Sequence, residues 1–185
     1  MSPAFRFSLF ALLLIAPLAH AERADRSKPV TIESDRLSVD DRNKVQVFEG
    51  RVKLTQGTLE ITSDKLVVTQ DAEGFQKGVA TGGKDGLARF RQKREGKNEY
   101  TEGEAERIEY EGRNDMAKLF TRAMTRSGLD ETRGQYIEYN GYTEQYTVTN
   151  GPNASVSKNS NERVHTTIWP KGTAPETAVS RPAGK

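Results

Sequence analysis

The chain has 185 residues, with 28 Lys plus Arg against 26 Asp plus Glu, a formal charge of +2. That length suits one domain, and the near balance of charge argues against non-specific nucleic-acid binding, because phosphate binders carry a clear basic surplus. There is no Cys, which removes disulfides, thiolate nucleophiles and Cys-ligated zinc.

Arg6 precedes a nearly unbroken apolar run, Phe7 to Ala16; Pro17 ends the run and Ala19-His20-Ala21 is a small-x-small site. This is the layout of a secretory signal peptide cleaved after Ala21, and the run is too short to span a bilayer. The sequence thus predicts a leader over 1–21 and an exported domain over 22–169. His20 leaves with the leader. Any Ser-His-Asp triad, His metal site or His general base would then rest on His165, which sits in an alternating segment, Val164 to Trp169.

From residue 30 onward the chain alternates with period two. Val30-Thr-Ile32, Leu37-Ser-Val39, Val45-Gln-Val47, Val52-Lys-Leu54, Leu59-Glu-Ile61 and Leu66-Val-Val68 are followed by Ile108-Glu-Tyr110, Ile137-Glu-Tyr139 and Tyr146-Thr-Val148. Turn signals separate the runs: Asp40-Asp-Arg-Asn43, Gln56-Gly57, Glu73-Gly74, Asp85-Gly86, Glu111-Gly112 and Asn140-Gly141. The runs also recur. Ser34-Asp-Arg-Leu-Ser-Val39 resembles Ser63-Asp-Lys-Leu-Val-Val68, and Glu104-Ala-Glu-Arg-Ile-Glu-Tyr110 resembles Arg133-Gly-Gln-Tyr-Ile-Glu-Tyr139. Each is followed by a returning apolar run, at Phe48, Val79, Leu119 and Val148, and an extra hairpin around Leu87–Gln92 turns at Glu95-Gly96. Such self-similarity signals stacked strand pairs.

One stretch conflicts locally. Met116, Leu119, Phe120, Ala123 and Met124 have helical spacing, but the repeat favours a strand there. Residues 170–185 lack apolar period and read as a disordered tail.

Stacked strand pairs make two walls with one face of each inward. The inward phase collects Val30, Ile32, Leu37, Val39, Val52, Leu54, Ile61, Leu66, Val68, Val79, Phe90, Ile108, Tyr110, Leu119, Ile137, Tyr139 and Val148. Glu33, Glu60, Glu109 and Glu138 fall on the outward phase, so no pair of carboxylates converges for glycoside hydrolysis; neither an enzyme nor a cofactor or metal site is expected. Two readings of the inward set stay open: a filled core, as in a structural or adhesive β-solenoid, or an apolar groove for a lipid. An acyl chain of about a dozen carbons would gain on the order of 10 kcal/mol in such a groove.

Pro29-Val-Thr-Ile-Glu-Ser-Asp35, followed by Val47-Phe-Glu-Gly-Arg-Val-Lys-Leu-Thr-Gln-Gly-Thr-Leu-Glu-Ile-Thr-Ser-Asp-Lys-Leu-Val-Val68, resembles the LptA/OstA family of periplasmic lipopolysaccharide-transport proteins. The weaker repeats carry the resemblance to about Trp169. It implies an all-β fold, a twisted, slightly open β-jellyroll of about sixteen antiparallel strands. It also implies a periplasmic protein that binds the lipid A part of lipopolysaccharide, the inward residues lining the groove. Its partners would be like-folded domains of an inner-membrane (LptC-type) and an outer-membrane (LptD-type) component, with head-to-tail homo-oligomers bridging the two membranes. A basic hairpin, Arg89-Phe-Arg-Gln-Lys-Arg94, reads either as a solvated hairpin or as a contact for anionic sugar phosphates.

Overall fold

The structure, a computed structural model, describes residues 28–72, 74–94, 97–159 and 162–170. The expected leader, most of the expected tail and the turn residues Glu73, Glu95 and Gly96 lie outside the described residues. Twelve strands follow in order: β1 (Thr31–Glu33), β2 (Arg36–Asp40), β3 (Val45–Gln56), β4 (Leu59–Asp71), β5 (Gly74–Thr81), β6 (Ala88–Lys93), β7 (Tyr100–Ala105), β8 (Arg107–Glu111), β9 (Met116–Ser127), β10 (Asp130–Asn140), β11 (Gln145–Thr149) and β12 (His165–Thr167). All belong to one sheet and every pairing is antiparallel.

The sheet is creased down its middle. Each of the four long strands, β3, β4, β9 and β10, has different neighbours along its two halves. β4, for example, pairs β5 over residues 65–71 and β6 over 60–62. One wall therefore runs β2, β3, β4, β5, β8, β9, β10, β11. The other runs β1, β3, β4, β6, β7, β9, β10, β12. Counting the halves of the long strands separately gives the sixteen segments of the expected jellyroll.

The crease explains the sequence repeat. In three repeat units an acid stands at the bend: Asp35, Asp64 and Glu106. Beside each, the neighbouring chain adopts left-handed backbone, at Gly50–Arg51 (φ 80° and 45°), Gly82–Gly83 (70° and 128°) and Thr121–Arg122 (65° and 52°). Asp35 N–H donates to the Gly50 carbonyl at 3.0 Å and its carboxylate is held by Arg51. Gly83 N–H donates to Asp64 Oδ2 at 2.8 Å, and Glu106 accepts from Arg122 Nε at 2.7 Å. The bulges between Glu49 and Val52 and between Gly134 and Tyr136 fall on the same line, where extra residues let strands turn a corner. A Cβ on Gly50 would sit 2.4 Å from Asp35 Oδ2, so glycine is required there by both φ and space.

The core lies between the walls. Across the first wall the register aligns Leu37, Phe48, Leu66, Ala80, Ile108, Leu119, Ile137 and Val148 in one inner row. Leu54, Leu66, Ile108, Leu119 and Ile137 are essentially inaccessible, each stabilising the fold by about 1.5–3 kcal/mol relative to exposure. Residues 116–124 form a strand, as the repeat required. Ala117 and Leu119 point in, while Phe120 lies outside against Tyr136 (centroids 5.2 Å apart) with the Arg107 guanidinium over its ring. The helical spacing there arises because the strand bends at Thr121–Arg122.

Val79 is a correction. It faces outward between Val67 and Glu109, and the inward residues of β5 are Gly78 and Ala80. Small side chains suit that position because Phe75 folds over Gly78, 3.2 Å from where a Cβ would be. A one-residue phase error flips every face, and the large side chain was the wrong guide to phase.

Candidate functional site

The candidate site is the space between the walls. Eleven of the sequence-derived positions are buried there: Val52, Leu54, Ile61, Leu66, Val68, Phe90, Ile108, Tyr110, Leu119, Ile137 and Tyr139. Val30, Ile32 and Val148 are half-buried against this cluster. Leu37 and Val39 occupy inner rows, but on the edge strand β2, which pairs only with β3, and there they are 51% and 53% exposed.

The walls are in contact. Between Leu59, Ile61, Phe90, Ile108, Tyr110 and Tyr139 only a gap of about 10 Å³ is left, which is at most one water. Phe90 closes much of it: its ring covers Gly103, whose Cβ would lie 2.2 Å from it, and stacks on Tyr139 with centroids 6.3 Å apart. An acyl chain can therefore enter only if the walls part. On the crease side the chain itself joins them. They can part at the opposite side, the mouth, where the turns at 41–44, 112–115 and 141–144 of the first wall face those at 57–58 and 128–129 of the second.

Two cavities open along the mouth. One, of about 370 Å³, lies between Lys28, Val30 and Gln56 on one side and Gln70, Phe75 and Arg113 on the other. The second, of about 220 Å³, lies toward β11 and is lined by Arg94, Thr101, Thr125, Thr132, Tyr139 and Glu144, among others. An ion pair spans the mouth beside it: Arg94 to Glu144 at 2.6 Å, with Lys97 at 3.8 Å from the same carboxylate. The Glu144 hydrogen bond pushes the Arg94 guanidinium pKa up, and burial raises that of the Tyr139 phenol.

Sequence reasoning missed two features of this interior because it tracked apolar residues only. Thr101, Thr125 and Thr132 point inward and are buried, and so is Asp115, which accepts from the Tyr110 hydroxyl at 3.2 Å. Asn140-Gly141 was the available signal for Asp115, since a Cβ on Gly141 would strike its carboxylate. The basic hairpin lies mostly on the outer face of the second wall, where β7 neutralises it: Arg89 pairs with Glu104 at 3.0 Å and Arg91 with Glu102 at 3.4 Å, while Arg94 meets Glu99 at 3.2 Å. Among the described residues no group of three His, Asp or Glu side chains is placed to hold a metal ion.

A creased antiparallel sheet with apolar inner rows and two bare ends defines an open-ended β-jellyroll. The sequence profile of the LptA/(LptD N-terminal domain) LPS transport proteins matches residues 31–146. The lipopolysaccharide export system protein LptA of Escherichia coli K12 is 33% identical over 129 residues, covering 70% of this chain and 69% of that protein. LptA of Haemophilus influenzae is 26% identical over 137 residues, 74% of this chain and 79% of that one. The crystal structure of Pseudomonas aeruginosa LptH superposes with a TM-score of 0.70 at 23% identity, over 79% of this chain and 99% of that chain. That protein is the LptA-homologous periplasmic component of a lipopolysaccharide transport device. The present chain belongs to the LptA/LptD N-terminal-domain family of lipopolysaccharide transport proteins.

Proposed function

We propose that this protein is a periplasmic carrier. In this reading it is exported by the leader cleaved after Ala21, takes the lipid A acyl chains of lipopolysaccharide between its walls, and hands them on through like-folded domains stacked head to tail. LptC-type and LptD-type domains would flank it at the inner and outer membranes; catalysis has no part in the reading. The observation that carries it is the inner row from Leu37 to Val148, apolar at all eight positions from one bare edge of the sheet to the other. Continuous apolar lining makes movement along the row nearly iso-energetic for an alkyl chain.

The ends support the stacking. β2 and β1 are edge strands at one end, β11 and β12 at the other. Bare edges accept further strands. Strand direction alternates across each wall, so β11 of one copy meets β2 of the next antiparallel, and β12 meets β1. Unlike ends joining in this way give an open filament. Exposed apolar side chains mark both ends, Leu37 and Val39 at one, Tyr146, Ile168 and Trp169 at the other.

The filled interior favours a second reading, a structural β-solenoid without ligand. Photoreactive side chains at Val30, Leu37 and Val79 separate the two. Carrier function predicts lipid A crosslinks at the first two and none at outward-facing Val79, together with displacement of an apolar dye by lipid A. Equal labelling at all three, or no displacement, refutes it.

A further inference from the structure

The space between the walls changes character along the stack. In the second wall the middle inner row runs Ile32, Leu54, Ile61, Phe90 and then, past Gly103, Thr125, Thr132 and Thr166. Thr125 and Thr132 are 7% and 4% exposed. The row nearer the mouth is polar in both halves, with Gln56 and Gln92 flanking Leu59 on the β1 side and Thr101, paired with Ser127, toward the β12 end, so the change of character belongs to the middle row. Thr101, Thr125, Ser127 and Thr132, with Tyr139 and Tyr146 from the first wall, line the cavity of about 220 Å³.

An alkyl chain gains free energy only against apolar neighbours, and in this half the second wall offers it hydroxyl groups instead, Thr125 bonded to the Glu102 carbonyl and Thr132 to the Thr166 hydroxyl, so only the first wall continues the apolar lining. A phosphate fits no better, because Arg94 shares the cavity with the carboxylates of Glu144 and Asp130. Mixed donors and acceptors beside an exposed tyrosine ring suit a polyol. The volume equals that of roughly seven waters in the liquid, enough for one pyranose ring.

We propose that this cavity is a saccharide subsite. Acyl chains lie between the apolar rows, and a sugar ring of the same glycolipid sits among Thr101, Thr125, Thr132 and Tyr139. The subsite rests on the carrier reading and deepens it by fixing which end of the amphiphile faces β11 and β12. The interior then orients its cargo as well as lining its path.

Thr125→Val and Thr132→Val test it together. Both keep side-chain shape, and each loses one internal bond, Thr125 to the Glu102 carbonyl and Thr132 to the Thr166 hydroxyl. Melting curves first establish that the double variant folds. Lipid A binding should then weaken about 5- to 150-fold, the loss of two hydrogen bonds, while palmitate binding stays within about two-fold of wild type. In the wild type, the deacylated lipid A disaccharide should shift the amide resonances of Thr101, Thr125 and Thr132. Unchanged lipid A affinity, or equal weakening for lipid A and palmitate, overturns the subsite. If the disaccharide shifts those resonances but neither palmitate nor lipid A binds, the subsite stands and the carrier reading fails.

Discussion

Phe90 and Gly103 should show strong, sign-reversing coupling in a double-mutant cycle. Phe90 is 5% exposed, lies directly over Gly103 in the β6–β7 register and stacks on Tyr139 across the interior. Phe90→Ala removes that packing and should cost about 3–5 kcal/mol, lowering the melting temperature by roughly 6–20 °C for a chain of this size. Gly103→Ala alone places a Cβ 2.2 Å from the Phe90 ring; the ring must leave its position, at a cost of about 1–3 kcal/mol. With Phe90 removed, the same Ala meets no ring, and the strand gains about 0.5–1 kcal/mol from losing a flexible Gly. The two changes should therefore couple by about 1.5–4 kcal/mol, with Gly103→Ala destabilising in one background and stabilising in the other. Urea unfolding followed by circular dichroism measures all four corners. Additivity within about 0.5 kcal/mol would show that the ring does not occupy the space over Gly103 and that the walls do not meet there.

Three further outcomes are expected. The Cys-free chain allows clean disulfide mapping of the head-to-tail junction: mixing Leu37→Cys protein with Val148→Cys protein should crosslink on oxidation, and Leu37→Cys with Thr147→Cys should not, since only the first pair continues the inner row; a reversed preference would refute the register. Gly134→Ala brings a Cβ within 2.5 Å of Val148 Cγ1 and 2.8 Å of the Thr149 carbonyl, which should cost about 1–3 kcal/mol, lower the melting temperature by about 2–12 °C and weaken junction crosslinking at Val148; unaltered melting would be inconsistent with β11 packing on β10 as described. In acid, hydrogen bonds from Arg51 depress the pKa of Asp35, and those from Arg126 and then Arg133 depress that of Glu131. Their stabilisation is full above the unfolded carboxylate value of about 4 and is lost as pH falls through the lower folded value. The Asp35→Asn, Glu131→Gln double variant should thus lose less stability between pH 6 and pH 3 than wild type, as read from urea midpoints; parallel losses would contradict these pairings.

Strand content, the repeat and most of the core were legible in the order of residues alone. Period two is a local property, so Leu54, Leu66, Ile108, Leu119 and Ile137 could be placed inward without any tertiary knowledge, and the turn dipeptides fixed where the runs end. The repeat even overruled the helical spacing of Met116 to Met124, because four copies of one pattern outweigh one stretch of ambiguous propensity. The rest was set by pairing between distant strands. The repeated acids mark a crease, a fact that needs the neighbouring strand's left-handed residues to be seen beside them. Val79 lost its inward place to Gly78 and Ala80, because Phe75 fills the space that a larger inward side chain would need. Whether the walls touch depends on pairs remote in sequence, such as Phe90 with Tyr139. The threonines of one half became interior residues for the same reason: facing is set by register against distant strands, whereas hydropathy records only what each residue would prefer alone.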